Sequence, residues 1–167
     1  ICTSPSQHDL RVAVKRIEKG TFSGFATQSL KQGDTLDVMP PMGNFSVSPA
    51  AGARKNYVFF AAGSGITPVI SMVKSLLEHE KESTVYLYYS NKTKADTIFK
   101  QELDQLAAAN SQLKLNYILT REDSGNALTN GRLDRATFEA LFNAHLNGVT
   151  IDGIYSCGPQ EMILTGK

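Results

Sequence analysis

Apolar and polar residues change rhythm once along this chain. From Leu10 to Ile17, LRVAVKRI alternates apolar and polar at period two, the mark of a strand with one buried face. TLDVM (Thr35–Met39) and NFSV (Asn44–Val47) read as further short strands, separated by Gly-Asp and Pro-Pro-Met-Gly turns. Ser48–Asn56, SPAAGARKN, is small and polar with Gly and Pro, and reads as a linker. Beyond it, strand-like runs at Tyr57–Ala62, Thr84–Tyr89, Leu113–Leu119 and Ile151–Ser156 alternate with helical patterns. The helices are expected at Thr67–His79, Ala95–Ala109, Asp134–Leu146 and from Pro159 onward. In the first of them Val69, Ile70, Val73, Leu76 and Leu77 recur at the three-four spacing of one buried face. Strand-helix alternation predicts parallel pairing through right-handed crossovers, with ligands at the carboxyl ends of the strands. The pattern predicts an α/β protein: a parallel doubly wound sheet over residues 51–167, preceded over residues 1–50 by part of an antiparallel barrel.

The sharpest break falls at Gly63-Ser64-Gly65, where the apolar run YVFFAA stops and Ile66-Thr67-Pro68 opens a helix. Glycines at a strand end let the backbone turn sharply and approach a ligand with no Cβ in the way. Thr67 is expected as the N-cap and Pro68 at the first helical position. Free N–H groups and the positive end of the helix dipole then face a ligand, an arrangement suited to a diphosphate. The spacing is Gly-x-Gly-x-x-Pro. It is neither the usual dinucleotide fingerprint nor a P-loop, so the turn alone also admits a tight connection that binds nothing.

Two other strand ends add to it. The second strand runs into Ser90, Asn91 and Lys92, and the third ends at Arg121. Hydroxyl, amide and cations there suit a 2′-phosphate, where an acidic residue would suit a free ribose hydroxyl. Lys94 reads as an ordinary surface lysine. The last strand ends at Cys157-Gly158-Pro159, placing Cys157 at the rim of the crevice. A nucleophilic thiol would need a base or a lowered pKa, and no His lies near it in sequence.

Composition narrows the classes. The 167 residues fit one ordinary domain or two small ones, and 17 Lys+Arg against 16 Asp+Glu leave a net charge of +1. That balance argues against a nucleic-acid or membrane-surface footprint. No apolar run reaches the roughly 18–20 residues of a membrane span, and no signal segment opens the chain. Cys2 and Cys157 lie far apart, and His8, His79 and His145 share no ligand spacing, so neither a disulfide nor a metal site is expected. A reducing, cytoplasmic setting follows as the expectation.

AAGSGITPVISMV, YYSNKTKADTIFKQEL, GRLD and YSCGPQEMI, in that order and separation, resemble the nicotinamide half of the ferredoxin–NADP reductase family. Within it they are similar to reductase subunits of multicomponent oxygenases, the phenylacetyl-CoA oxygenase type included, and to flavohaemoglobin-type reductases. The resemblance implies that residues 1–50 are the later part of an FAD-binding barrel. VAVKR, with Val14 and Lys15, would pass beside the flavin. GTFSGFAT, with Gly20, Thr21, Phe22 and Ser23, would turn into a short helix whose amino end receives the FAD diphosphate, with Ser23 capping. Phe45 is expected in the core. The family's Arg-x-Tyr-Ser flavin motif would stand immediately before Ile1, and a final strand and a plant-type iron–sulfur domain after Lys167. The chain is therefore expected to be part of a longer reductase.

By the same resemblance Gly63, Ser64, Gly65, Ile66 and Thr67 cradle the NADP diphosphate. Ser90, Asn91, Lys92 and Arg121 take its 2′-phosphate end, and Cys157, Gly158 and Pro159 line the nicotinamide slot. The implied activity is hydride transfer from NADPH to FAD, with Cys157 a contact beside the reacting rings, and electrons leaving to an iron–sulfur domain or oxygenase component. An NADH-dependent flavin reductase, a non-catalytic nucleotide-binding module and a remnant that binds nothing stay open on the residues themselves.

Overall fold

In the computed structural model, which describes residues 1–166, the second part of the chain folds as its rhythm predicts. Four parallel strands, β1 (Asn56–Ala62), β2 (Thr84–Asn91), β3 (Leu113–Leu119) and β4 (Gly153–Cys157), lie in the order β3-β2-β1-β4. Helix α1 (Thr21–Gln28) stands in the first part. α2 (Ile66–His79), α3 (Lys100–Ala109) and α4 (Arg135–Leu141) connect the strands, and α5 (Gln160–Thr165) follows β4.

Period two within each strand sorts side chains to opposite faces. Phe59, Ala61, Leu87 and Tyr89 pack with Ile70, Val73 and Leu76 of α2 and Leu103 of α3. Val58, Phe60, Tyr88 and Ile118 pack with Phe138 and Leu141 of α4 and Met162 of α5. Helices on both faces bury the central strand, which explains why β1 is apolar throughout.

The helix ends depart from expectation in instructive ways. α3 starts at Lys100, not Ala95, because Phe99 takes a left-handed backbone (φ 59) and Asp96 folds back onto Thr93. Asp134 caps α4, its carboxylate accepting the Thr137 N–H at 2.9 Å, and the helix relaxes into a π turn at Phe142–Leu146.

The first part differs more. α1 forms where a short helix was expected, with Gly20 as its cap residue; Ser23 accepts the Ile17 N–H at 3.1 Å and does not cap. Leu10–Ile17, Thr35–Met39 and Asn44–Val47 form no strands among the described residues. A strand takes its backbone hydrogen bonds from a neighbour, so period-two patterning without a ladder partner yields irregular chain. Its apolar side chains stand in the open, Leu10 and Val38 each 81% exposed. Phe45, expected in the core, is 46% exposed and meets Tyr155 edge-on at 6.2 Å.

The linker is fastened at the amino end of the sheet. Glu80 is fully buried, and its carboxylate accepts the Ala50 N–H at 2.9 Å, the Tyr57 hydroxyl at 3.1 Å and the Ser83 hydroxyl at 2.6 Å. Burial, then the neighbouring Glu80, pushes the Tyr57 phenol up to about 12.

Phe60 is 2% exposed, stacked on Tyr88 at 5.1 Å and edge-on to Phe138 at 4.6 Å. Phe60→Ala is expected to cost about 3–5 kcal/mol of unfolding free energy in urea titrations; a loss under about 1 kcal/mol would contradict this packing.

Candidate functional site

In-register parallel pairing brings the strand ends to one edge: Ala62 lies opposite Ser90, Ala61 opposite Cys157, and Asn91 opposite Leu119. Backbone hydrogen bonds from Thr120 to Asn91 and from Arg121 to Lys92, each 2.9 Å, prolong the edge past β3. Above it opens a cleft of about 640 Å³.

The glycine turn forms one wall. β1 runs into a single 3-10 turn, Gly63–Gly65, and α2 begins at once with Gly65 as its cap residue and no capping side chain. Thr67 is therefore not the N-cap; it sits inside the first turn, its hydroxyl donating to the Ser64 carbonyl at 3.1 Å. The helix starts early because Gly65 packs against β4. A Cβ on Gly65 would stand 2.0 Å from the Cys157 carbonyl oxygen, which leaves glycine as the residue that fits. Gly63 has φ +53 and open space where a Cβ would point. Below the turn, buried Tyr89 donates its hydroxyl to the Gly63 carbonyl at 2.9 Å. Burial pushes that phenol up to about 12. It stays protonated and able to donate.

A glycine turn leading into a helix amino end, at the carboxyl edge of a parallel sheet, has the geometry of a dinucleotide site. Residues 59–166 match the family described as the oxidoreductase NAD-binding domain. The chain belongs to that family. It is 37% identical over 164 residues to one of the subunits of 1,2-phenylacetyl-CoA epoxidase from Escherichia coli K12, covering 98% of this chain and 46% of that protein. To NADH-cytochrome b5 reductase 1 of Dictyostelium discoideum it is 30% identical over 150 residues, covering 89% and 50%. The fold is shared with ferredoxin-NADP+ reductase from Plasmodium falciparum, at TM-score 0.69 and 21% identity, covering 87% of this chain and 56% of that one. The chain thus spans about half the length of the curated relatives it matches.

Within this NAD-binding domain, the three expected strand ends do converge. Gly63, Ser64, Gly65 and Thr67 line one side of the cleft, Ser90, Asn91 and Lys92 the β2 end, and Cys157, Gly158 and Pro159 the β4 end. Lys15, expected beside a flavin, reaches in from the first part of the chain and lines the same cleft. Ile66 does not line it; its side chain is fully buried in the core below, leaving only its backbone at the turn. Arg121 stands exposed outside the lining, in no ion pair among the described residues. Val14, Gly20, Thr21, Phe22 and Ser23 also lie outside it, Phe22 being exposed.

Four lining residues escaped the reading of the sequence: Ala62, Pro68, Asp96 and Thr120. Thr120 could have been found, since it directly follows β3, just before Arg121. Asp96 carried no signal, because only the Thr93 turn brings it to the rim. Arg132, in GRLD, lines an adjoining cavity of about 430 Å³ that shares Ser90 and Thr120 with the cleft.

Charge is sparse and mostly positive. Lys15 and Lys92 share the lining with Asp96, while Lys94 is drawn off to Glu122 at 3.7 Å, as a surface lysine would be. Asn91 is 6% exposed, and its buried Nδ2 has no hydrogen-bond partner. An orphaned buried donor costs about 1–3 kcal/mol, a cost that an acceptor on a bound nucleotide would relieve. The residues present therefore fit an anionic nucleotide. Burial raises the Cys157 thiol, so it rests as a neutral contact surface and not as a thiolate.

Gly65→Ala is expected to weaken NAD(P) binding by about tenfold or more in calorimetric titration, since α2 or β4 must shift; unchanged affinity would contradict the contact. The rate of Cys157 alkylation by iodoacetamide should stay low through neutral pH and rise only above the ordinary thiol range. Fast labelling at neutral pH would contradict the neutral thiol.

Proposed function

We propose that this chain is the nucleotide-binding half, with an adjoining part of the flavin half, of an NADPH-dependent, FAD-containing reductase. It passes electrons to an iron–sulfur domain or a haem partner, as the reductase component of an oxygenase. The observation that carries this reading is the cleft of about 640 Å³, lined by an uncapped helix end, a glycine turn, two lysines and Asn91.

A nicotinamide and a flavin held face to face supply the hydride and one-electron chemistry themselves. The residues of this chain bind and orient. Gly63, Ser64, Gly65 and Thr67, with the backbone of Ile66, set the diphosphate at the positive end of α2. Lys15 closes on it from the opposite side, adding charge where the two parts of the chain meet. Ser90, Asn91, Lys92 and Arg121 receive the 2′-phosphate end, Arg121 by swinging in from the solvent. Cys157, Gly158 and Pro159 floor the nicotinamide slot; small residues there let the ring lie flat, and no general base is called for. Val14 and the amino end of α1, Gly20 to Ser23, face the flavin. The name of the 37%-identical relative, part of an epoxidase, supports the oxygenase role. Free cysteines, and the lack among the described residues of a helix long and apolar enough to cross a membrane, are compatible with a cytoplasmic setting.

A second reading, an NADH-dependent flavin reductase, is favoured by one residue. Asp96 lines the same end of the cleft as Lys92, and a carboxylate is the group that accepts the hydroxyls of an unphosphorylated ribose.

The two are separated by titrating NADP and NAD. With the first, Lys92→Ala combined with Arg121→Ala should raise the Kd for NADP by about tenfold or more and leave that for NAD nearly unchanged. Equal losses for both nucleotides would refute the 2′-phosphate assignment and favour the second.

A further inference from the structure

Helix α2 carries two stripes. Its apolar residues face the sheet, and Ser71, Lys74 and Glu78 form a polar stripe at the same three-four spacing. The segment Ile1–Asp9 is strapped along this second stripe. Ser71 donates its hydroxyl to the Thr3 carbonyl at 2.7 Å. The Glu78 carboxylate accepts the hydroxyls of Ser4 at 2.9 Å and Ser6 at 2.6 Å. Between them, Lys74 Nζ donates to the Cys2 carbonyl at 3.2 Å and to Gln7 Oε1 at 3.3 Å, and pairs with Glu102 of α3 at 2.6 Å.

Exposed serine–carboxylate contacts add little on their own, but Lys74 is different. It is 6% exposed, and an ammonium has three protons to place. Here three acceptors take them, two of which belong to the strap. Lifting the strap would exchange two of these acceptors for water and leave Glu102 as the remaining protein partner, so the seated strap is the arrangement in which the protein itself satisfies Lys74. The strap therefore has one position. From it, Cys2 holds the next pass of chain, its N–H donating to the Arg11 carbonyl at 2.8 Å, and that pass leads to Lys15 in the cleft.

We infer that Lys74 is a positioning residue for the redox reaction: it locks the first part of the chain against the helix that grips the nucleotide. In so doing it sets the distance and angle at which a flavin carried by the first part meets the nicotinamide. The inference rests on the flavin-reductase reading above. Nucleotide affinity resides mainly in the turn and strand ends, which Lys74 does not touch, and only Lys15 links it to the strap, so loss of Lys74 acts more on rate than on binding.

The test uses the full-length flavin-loaded protein and follows bleaching of the flavin by NADPH in stopped flow. Lys74→Met paired with Glu102→Leu removes the clamp without stranding either charge. Gln7→Ala, exposed on the strap, takes away one of the acceptors of Lys74 in a variant whose core is untouched. Both should lower the limiting rate of flavin reduction, the double variant by on the order of tenfold, as small misplacements of reacting groups do. The Kd for NADPH should change far less than the rate, through Lys15 alone, and Lys74→Arg should restore most of the rate. If the double variant does not fold, Gln7→Ala alone decides. A parental limiting rate in the folded variants, or a rate loss matched by an equal loss of affinity, would overturn the inference and leave the proposed function standing. A parent protein that binds NADPH but never reduces a flavin would overturn both.

Discussion

Where β1 turns into α2, the backbone of Gly65 lies so close to the Cys157 carbonyl that a Cβ would come within 2.0 Å of it. That approach ties two strand ends and a helix start into one rigid corner. It forces α2 to begin directly after the 3-10 turn, which aims the amino end of the helix across the carboxyl edge of the sheet. Tyr89 holds the corner from below through the Gly63 carbonyl. The geometry of the cleft follows from this contact, and Cys157 contributes to it first through its main chain.

On this frame the cleft is polar without being strongly charged. Lys15 and Lys92 stand against a single carboxylate, Asp96, so selectivity rests on where donors point and less on net field. The unpaired amide of Asn91 is the clearest sign of an intended ligand, because proteins rarely bury a donor with nothing to bond. Asn91 ends β2 one residue before Lys92, and both residues line the cleft.

Two buried charged groups bind the irregular first part of the chain to the sheet. Glu80, just past the end of α2, holds the linker through Ala50, and Lys74, within α2, holds the opening segment through Cys2 and Gln7. Both are satisfied only when the first part occupies one place, which is how buried polar groups specify an arrangement that apolar contact alone would leave loose. The exposure of Leu10, Val38 and Phe22 shows how little apolar burial the first part achieves by itself.

The sequence by itself determined the doubly wound sheet, the buried face of α2 and the strand-end residues Gly63, Gly65, Ser90, Asn91, Lys92 and Cys157. Each of these follows from local periodicity and from glycines at a strand end, which act within a few residues. Only tertiary structure decided that Thr67 does not cap α2, that Ile66 is buried, that Asp96 and Lys15 reach the cleft, and that Arg121 stands outside its lining. It likewise decided that Leu10–Ile17, Thr35–Met39 and Asn44–Val47 form no sheet, since alternation marks the faces a strand would have but cannot supply the neighbour that makes it one. These outcomes depend on contacts between residues far apart in the chain, and no local pattern encodes them.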